Sequence, residues 1–282
     1  MSESWRIVCI CTLAPVAGTL VAAVRDLGHE PVAVLAPRRA QPGVTPPELE
    51  LSDRSLPQGL DLLFARDKHA LAPLLGAYEP DLALCCGFPW KIPLAALEVP
   101  RLGSVNHHPA LLPRHRGPLS LAWALRDGDV AWGSTWHYMD AELDTGNMLA
   151  QTSAPIEDDD VDIAEFGPRL LDVAVSLLPR VFDRIAAGDK GDPQPTEGVS
   201  WAGHFEDDEY TRVDWGQPAR AIHNQVRAWH LTFGFSGLRA PVAELDGEEV
   251  VLLQTRLTDP GGGARRVECG DGPIWVVASE PV

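Results

Sequence analysis

Two hydrophobic rhythms organise the first two thirds of the chain. Residues 5–11 (W-R-I-V-C-I-C) form a nearly continuous apolar, β-rich run, the pattern of a strand buried on both faces of a parallel sheet. Residues 16–27 switch to helical spacing and stop at Gly28-His29; residues 31–36 return to strand. This β-α-β start predicts a doubly wound sheet. The alternation continues with a helix over 68–78, a strand over 81–86, a short strand over 102–106, a helix over 118–126 and a strand over 133–139. Residues 160–187 are the longest helical stretch, and Pro168 and Pro179 predict a kink or a break into two helices.

The rhythm then shortens. Residues 188–198 (G-D-K-G-D-P-Q-P-T-E-G) are rich in Gly, Pro and charge and read as an interdomain linker. Beyond them the pattern predicts a helix over 219–228 and short strands over 242–245, 250–257 and 274–278, separated by turns at Asp246-Gly247 and Gly261-Gly262-Gly263. The expected fold class is α/β, a doubly wound, mostly parallel sheet followed by a small β-rich domain. The expected division is 1–188 as the catalytic domain, 189–204 as linker and 205–282 as the small domain.

Composition narrows the classes. The 282 residues offer ample apolar content for a core, and no run approaches the roughly 20 apolar residues of a membrane span. The N-terminus does not resemble a signal peptide, so a soluble, cytoplasmic chain without membrane partners is expected. The five cysteines form no C-x-x-C pair and none has a correctly spaced ligand partner; they read as buried reduced thiols, and no metal is expected. The formal net charge is −17, and acid outnumbers base both before and after residue 200. General nucleic-acid affinity is disfavoured, because phosphate contacts need Lys and Arg. No G-x-G-x-x-G follows the first strand, which argues against a nicotinamide cofactor.

The candidate chemistry sits in Asn106-His107-His108-Pro109 and, about forty residues on, in Leu143-Asp144-Thr145-Gly146. A carboxamide can hold a developing oxyanion, an imidazole can move a proton, and a carboxylate can orient that imidazole. Asn106, at the carboxyl end of its strand, falls where open α/β sheets place ligands. In an extended backbone His107 points away from His108, so it reads as structural or solvent-facing. His115 and His137 also read as structural, with acceptor contact as the alternative for His115 and a second base as the alternative for His137. Trp229, Phe233 and Phe235 around His230 read as interdomain core, with the wall of an acceptor site as the alternative.

The flanks make the motif specific. Residues 106–117 read N-H-H-P-A-L-L-P-R-H-R-G and residues 139–149 read M-D-A-E-L-D-T-G-N-M-L. Together with Asp214-Trp215, Ile222-His223-Asn224 and Cys269-Gly270-Asp271-Gly272, they resemble the folate-dependent formyltransferases, which include the methionyl-tRNA, glycinamide ribonucleotide and sugar N-formyltransferases. They also resemble the hydrolase domain of 10-formyltetrahydrofolate dehydrogenase. Ala110 departs from the Ser that many members carry. The resemblance implies catalytic roles for Asn106, His108 and Asp144, N10-formyltetrahydrofolate as formyl donor, and an OB-like C-terminal domain. By the same analogy the folate slot is expected from Cys86, Gly87, Phe88, Pro89, Trp90 and Ile92 with Met139, Asp140 and Leu143.

The acceptor is read by charge. In the tRNA enzymes a basic loop follows the second strand; residues 37–53 here carry only Arg38 and Arg39 against Glu48, Glu50 and Asp53. A small amine (an amino sugar, amino acid or natural-product intermediate) is the preferred acceptor, with methionyl-tRNA the alternative that the charge disfavours. Hydrolysis with water as acceptor and a non-catalytic folate-binding role are the remaining classes. The sequence carries no signal of oligomeric state.

Overall fold

The computed structural model describes residues 3–38, 49–52, 54–206, 209–232 and 239–282. The opening run becomes strand β1 (Arg6–Cys11), followed by helix α1 (Ala14–Asp26), β2 (Glu30–Pro37), β3 (Asp61–Ala65), α2 (Leu71–Tyr78), β4 (Leu82–Cys86), α3 (Leu94–Leu97), β5 (Ser104–His108), α4 (Ser120–Arg126), β6 (Ala131–Tyr138) and β7 (Met148–Pro155). These strands form one seven-stranded sheet in the order β3-β2-β1-β4-β5-β6-β7. The pairs from β3 to β5 are parallel, and β6 runs antiparallel to β5. The strand order reverses between β1 and β4, so the loops after Cys11 and Cys86 flank the switch point where such sheets bind ligands.

Alternation along β1 and β4 explains why their sequences look apolar throughout. Ile7, Cys9 and Cys11 face one core with Leu82, Leu84 and Cys86; Val8 and Ile10 face the other with Ala83 and Cys85. The first core is covered by Ala17, Leu20, Val21 and Val24 of α1 and by Leu178, Val181, Phe182 and Ile185. Leu71, Leu75, Ala96 and Leu97 cover the second.

Helices α5 (Ile163–Ser176) and α6 (Leu178–Ala186) replace the long helical stretch. The break coincides with Pro179, which enters the first turn of α6, where a missing N–H costs nothing. Pro168 lies inside α5 without ending it. Helix α2 is preceded by a 3-10 turn, Lys68–Ala70, capped by the Asp67 carboxylate accepting from the His69 N–H.

Two compact units result: 1–116, 133–153 and 170–200 form the first, and 117–132, 154–169 and 201–282 the second. The boundaries expected at 188 and 204 do not coincide with these units. Residues 189–200 are packed into the first: Asp192 and Met148 exchange backbone hydrogen bonds of 2.8 Å, and Arg184 pairs with Asp189 and Asp192.

In the second unit α7 (Ala219–Leu231) packs on a four-stranded antiparallel sheet in the order β10-β11-β9-β8, built from β8 (Val242–Leu245), β9 (Glu248–Arg256), β10 (Arg265–Cys269) and β11 (Gly272–Pro281). Helix α7 also holds α4, through the Asn224 amide donating to the Leu125 carbonyl at 2.8 Å. This is the small β-rich domain. No helix among the described residues is long and apolar enough to cross a membrane.

Candidate active site

Strand β5 delivers the first groups. Its pleat puts Asn106 and His108 on one face and His107 on the other. His107 is buried, not solvent-facing: its Nε2 lies 2.8 Å from the Ser134 hydroxyl, its Nδ1 3.6 Å from the Cys86 thiol, and its ring packs on Trp136. Burial, helped by the neighbouring His108 and His137, lowers its pKa from 6.5 to about 3.

That shift has a sign. Below pH 6.5 the unfolded chain binds a proton that the native state refuses, so stability falls as the pH drops toward 3. We expect His107→Gln to flatten the acid limb of a urea-midpoint series by up to about 1.4 kcal/mol per pH unit. An unchanged limb would remove His107 from the linkage.

The antiparallel register pairs Asn106 with His137 and His108 with Thr135, so β6 brings His137 to the same face. The loop after β6 then supplies Asp144. Its Oδ2 lies 3.6 Å from His108 Nδ1 and its Oδ1 3.4 Å from His137 Nε2. The Asn106 amide Nδ2 lies 3.3 Å from His137 Nε2. Both imidazoles have their other nitrogen committed. His108 Nε2–H donates to the His115 carbonyl at 2.7 Å, and His137 Nδ1–H donates to the Tyr138 carbonyl at 2.7 Å.

These bonds fix the tautomers. His108 Nδ1 and His137 Nε2 thus each face one oxygen of the same carboxylate, and a proton between a ring nitrogen and its oxygen partner would be held by both. The arrangement can accept a proton. Burial lowers the pKa of His108, and Asp144 opposes that shift, so the imidazole is neutral near pH 7. Beside the pair, Asn106 is only partly buried, and its amide has a second N–H for an oxygen in the site.

The loop is shaped by local chemistry. The Asp140 carboxylate accepts from the Glu142 N–H at 3.0 Å and from the Thr145 hydroxyl at 2.6 Å, and Asp144 adopts a left-handed φ of 56°. Lys91 pairs with Glu142 at 3.1 Å, so residues 87–92 and 139–144 are neighbouring loops. In the first of these, Gly87 has φ 67° and its carbonyl accepts from the Thr12 hydroxyl at 2.7 Å. Phe88 meets Trp90 edge-to-face at 5.4 Å, and both pack with Met139 against the second core. Gly87 and Pro89 are exposed and Leu143 is 36% exposed.

Two of the residues expected to line the slot present no side chain there: Cys86 and Ile92 are buried in the core because β4 and the turn into α3 point them inward. The Cys86 thiol is pushed up to about 12 by burial. Asp140 is engaged in holding its own loop. Arg39, Phe233 and Phe235 lie outside the described residues. Sequence reasoning named His137 but read it as a structural sheet residue, because its place beside Asp144 depends on strand register; it missed Gln194, whose amide donates to the carbonyls of Asp144 and Gly146.

A doubly wound sheet carrying an amide, two imidazoles and a carboxylate at the carboxyl end of β5 offers a candidate site with the groups that acyl-type chemistry needs. Residues 59–182 match the family model described as formyl transferase. The chain is 33% identical over 284 residues to the methionyl-tRNA formyltransferase of Ruegeria pomeroyi, covering 93% of this chain and 87% of that protein. It is 35% identical over 200 residues to that of Pelobacter propionicus, where the match spans 71% of this chain and 60% of the relative. The chain belongs to the formyl transferase family. Among solved structures, the fold matches HypX from Aquifex aeolicus in complex with tetrahydrofolic acid with a TM-score of 0.69 at 19% identity, over 98% of this chain and 44% of that one. It also matches an N-formyltransferase from Helicobacter canadensis in complex with folinic acid and dTDP-3-aminofucose, with a TM-score of 0.68 at 19% identity, over 99% and 100% of the chains.

Proposed function

We propose that the protein transfers the formyl group of N10-formyltetrahydrofolate to an amine of a small-molecule acceptor. The observation that carries the reading is Asp144 held between His108 and His137 with Asn106 alongside. The donor supplies an activated formyl carbon. The acceptor amine forms a bond to that carbon, the carbonyl electrons move onto oxygen, and the Asn106 N–H stabilises the charge, a role typically worth about 3 kcal/mol. The attacking amine must shed a proton; His108 Nδ1 and the Asp144 carboxylate face each other across the space that receives it. The oxyanion's electrons then re-form the carbonyl as the bond to N10 breaks; that bond's electrons go to N10, and the stored proton neutralises it. The exposed loop Gly87, Phe88, Pro89 and Trp90, with Met139 and Leu143 of the neighbouring loop, is the proposed pterin slot, and Cys86 and Ile92 support it from the core.

The acceptor is inferred from charge. The net charge of −17 and the scarcity of Lys and Arg over residues 37–53 favour a small amine over tRNA. The second reading, methionyl-tRNA as acceptor, is favoured by the names of the curated relatives. The deciding experiment incubates the purified protein with 10-formyltetrahydrofolate and follows tetrahydrofolate release with water alone, with charged initiator tRNA, and with a panel of amino sugars and amines. Release requiring a small amine is expected. Release with tRNA alone would establish the second reading, and rapid release in water would make the protein a hydrolase.

A further inference from the structure

Residues 192–200 look like a linker in sequence but lie across both loops that hold His108. His108 Nε2–H donates to the His115 carbonyl, and the other half of that same peptide, the Arg116 N–H, donates to the Ser200 carbonyl at 3.0 Å. The His115 N–H donates to the Ser200 hydroxyl at 2.8 Å, and the Ser200 N–H donates to the Pro113 carbonyl at 3.3 Å. His115 is a non-glycine residue at φ 57°, a conformation that persists only where its surroundings dictate it.

Six residues upstream, the Gln194 amide donates to the carbonyls of Asp144 and Gly146 at 2.9 and 2.8 Å, while its oxygen accepts from Arg116 Nε and Nη2 at 3.0 and 2.7 Å. Asp144 is likewise left-handed, at φ 56°. One strap thus fixes the acceptor on one side of the His108 ring and the carboxylate on the other, and a single glutamine ties the two loops together.

We propose that Gln194 and Ser200 are positioning residues that set the His108–Asp144 geometry. The inference rests on the proposed transfer reaction for its kinetic readout but not for its spectroscopic one. Gln194→Glu separates the two halves of the clamp: a carboxylate still accepts from Arg116 but cannot donate to the carbonyls of Asp144 and Gly146. Ser200→Ala removes the hydroxyl acceptor, and Ser200→Thr restores it.

The experiment records long-range nitrogen–proton spectra of the imidazoles together with steady-state kinetics over pH. In the wild type His108 should report the Nε2–H tautomer. In Gln194→Glu and Ser200→Ala its resonances should move toward a tautomer mixture. At the same time kcat should fall about ten- to a hundredfold, with the KM for the donor changed by less than about threefold. Ser200→Thr should recover both signals. An unchanged His108 spectrum in Ser200→Ala would overturn the proposal even if Gln194→Glu failed to fold. Wild-type protein with no turnover on any acceptor would overturn the transfer reading while the spectra still decided the strap.

Discussion

Asp144→Asn is expected to lower turnover by about a thousandfold while leaving the fold in place. Each carboxylate oxygen of Asp144 faces an imidazole nitrogen, at 3.6 Å for His108 and 3.4 Å for His137, and both of those nitrogens are the unprotonated ones. Asparagine keeps the shape but presents one oxygen and one amide. The amide donates to one ring and occupies the lone pair that should receive the substrate proton; the oxygen carries no charge to hold an imidazolium. The negative charge also raises the His108 pKa against the burial that lowers it, so its loss should move the acid limb of kcat/KM to lower pH. A pH profile of the variant beside the wild type checks both effects. Near-normal turnover would remove Asp144 from the proton path and leave Asn106 as the principal contributor.

In the first unit the strands that were legible in sequence are those whose two faces are both buried, whereas β8, β9 and β11 of the second were marked by the turns between them. β1, β4 and the centre of β6 announce themselves because helices cover each side, and β5 is marked by its motif. β3, β7 and β10 were missed for the opposite reason. Each is an edge strand, and β10 reads R-R-V-E-C with no fully buried position. β10 is short and polar, as suits an edge that must not attract further strands; β3 and β7 are not, but their mixed burial leaves no clean period to read. The site followed the same division. Asn106, His108 and Asp144 come from a local motif, whereas His137 joins them only through the β5–β6 register, which nothing in either segment encodes alone. Gln194 was hidden by its surroundings. Gly, Pro and charge mark loops whether they hang free or are stitched down, and the stitching here is made by backbone carbonyls that sequence does not distinguish.

Gly146→Ala is the second substitution expected to cut turnover sharply, by about a hundredfold, and it would do so with no change to any charged or titrating group. A Cβ at this position would lie 1.9 Å from the Tyr138 carbonyl oxygen and 2.8 Å from its carbon. Those are backbone atoms of β6, so no side chain can rotate to make room. The same carbonyl accepts from His137 Nδ1 and so fixes that ring, while the Gly146 carbonyl accepts from Gln194. Relief of the clash must therefore displace the Asp144 loop, the His137 ring, or both. A displacement of about 1 Å is enough to cost about a hundredfold in rate, and the lost loop contacts should lower the thermal midpoint as well. The glycine is needed for close approach rather than for φ, so serine should fail as alanine does. Turnover and melting measured on both variants test this; wild-type turnover in either would mean that the loop tolerates displacement and that His108 works without the carboxylate held in place.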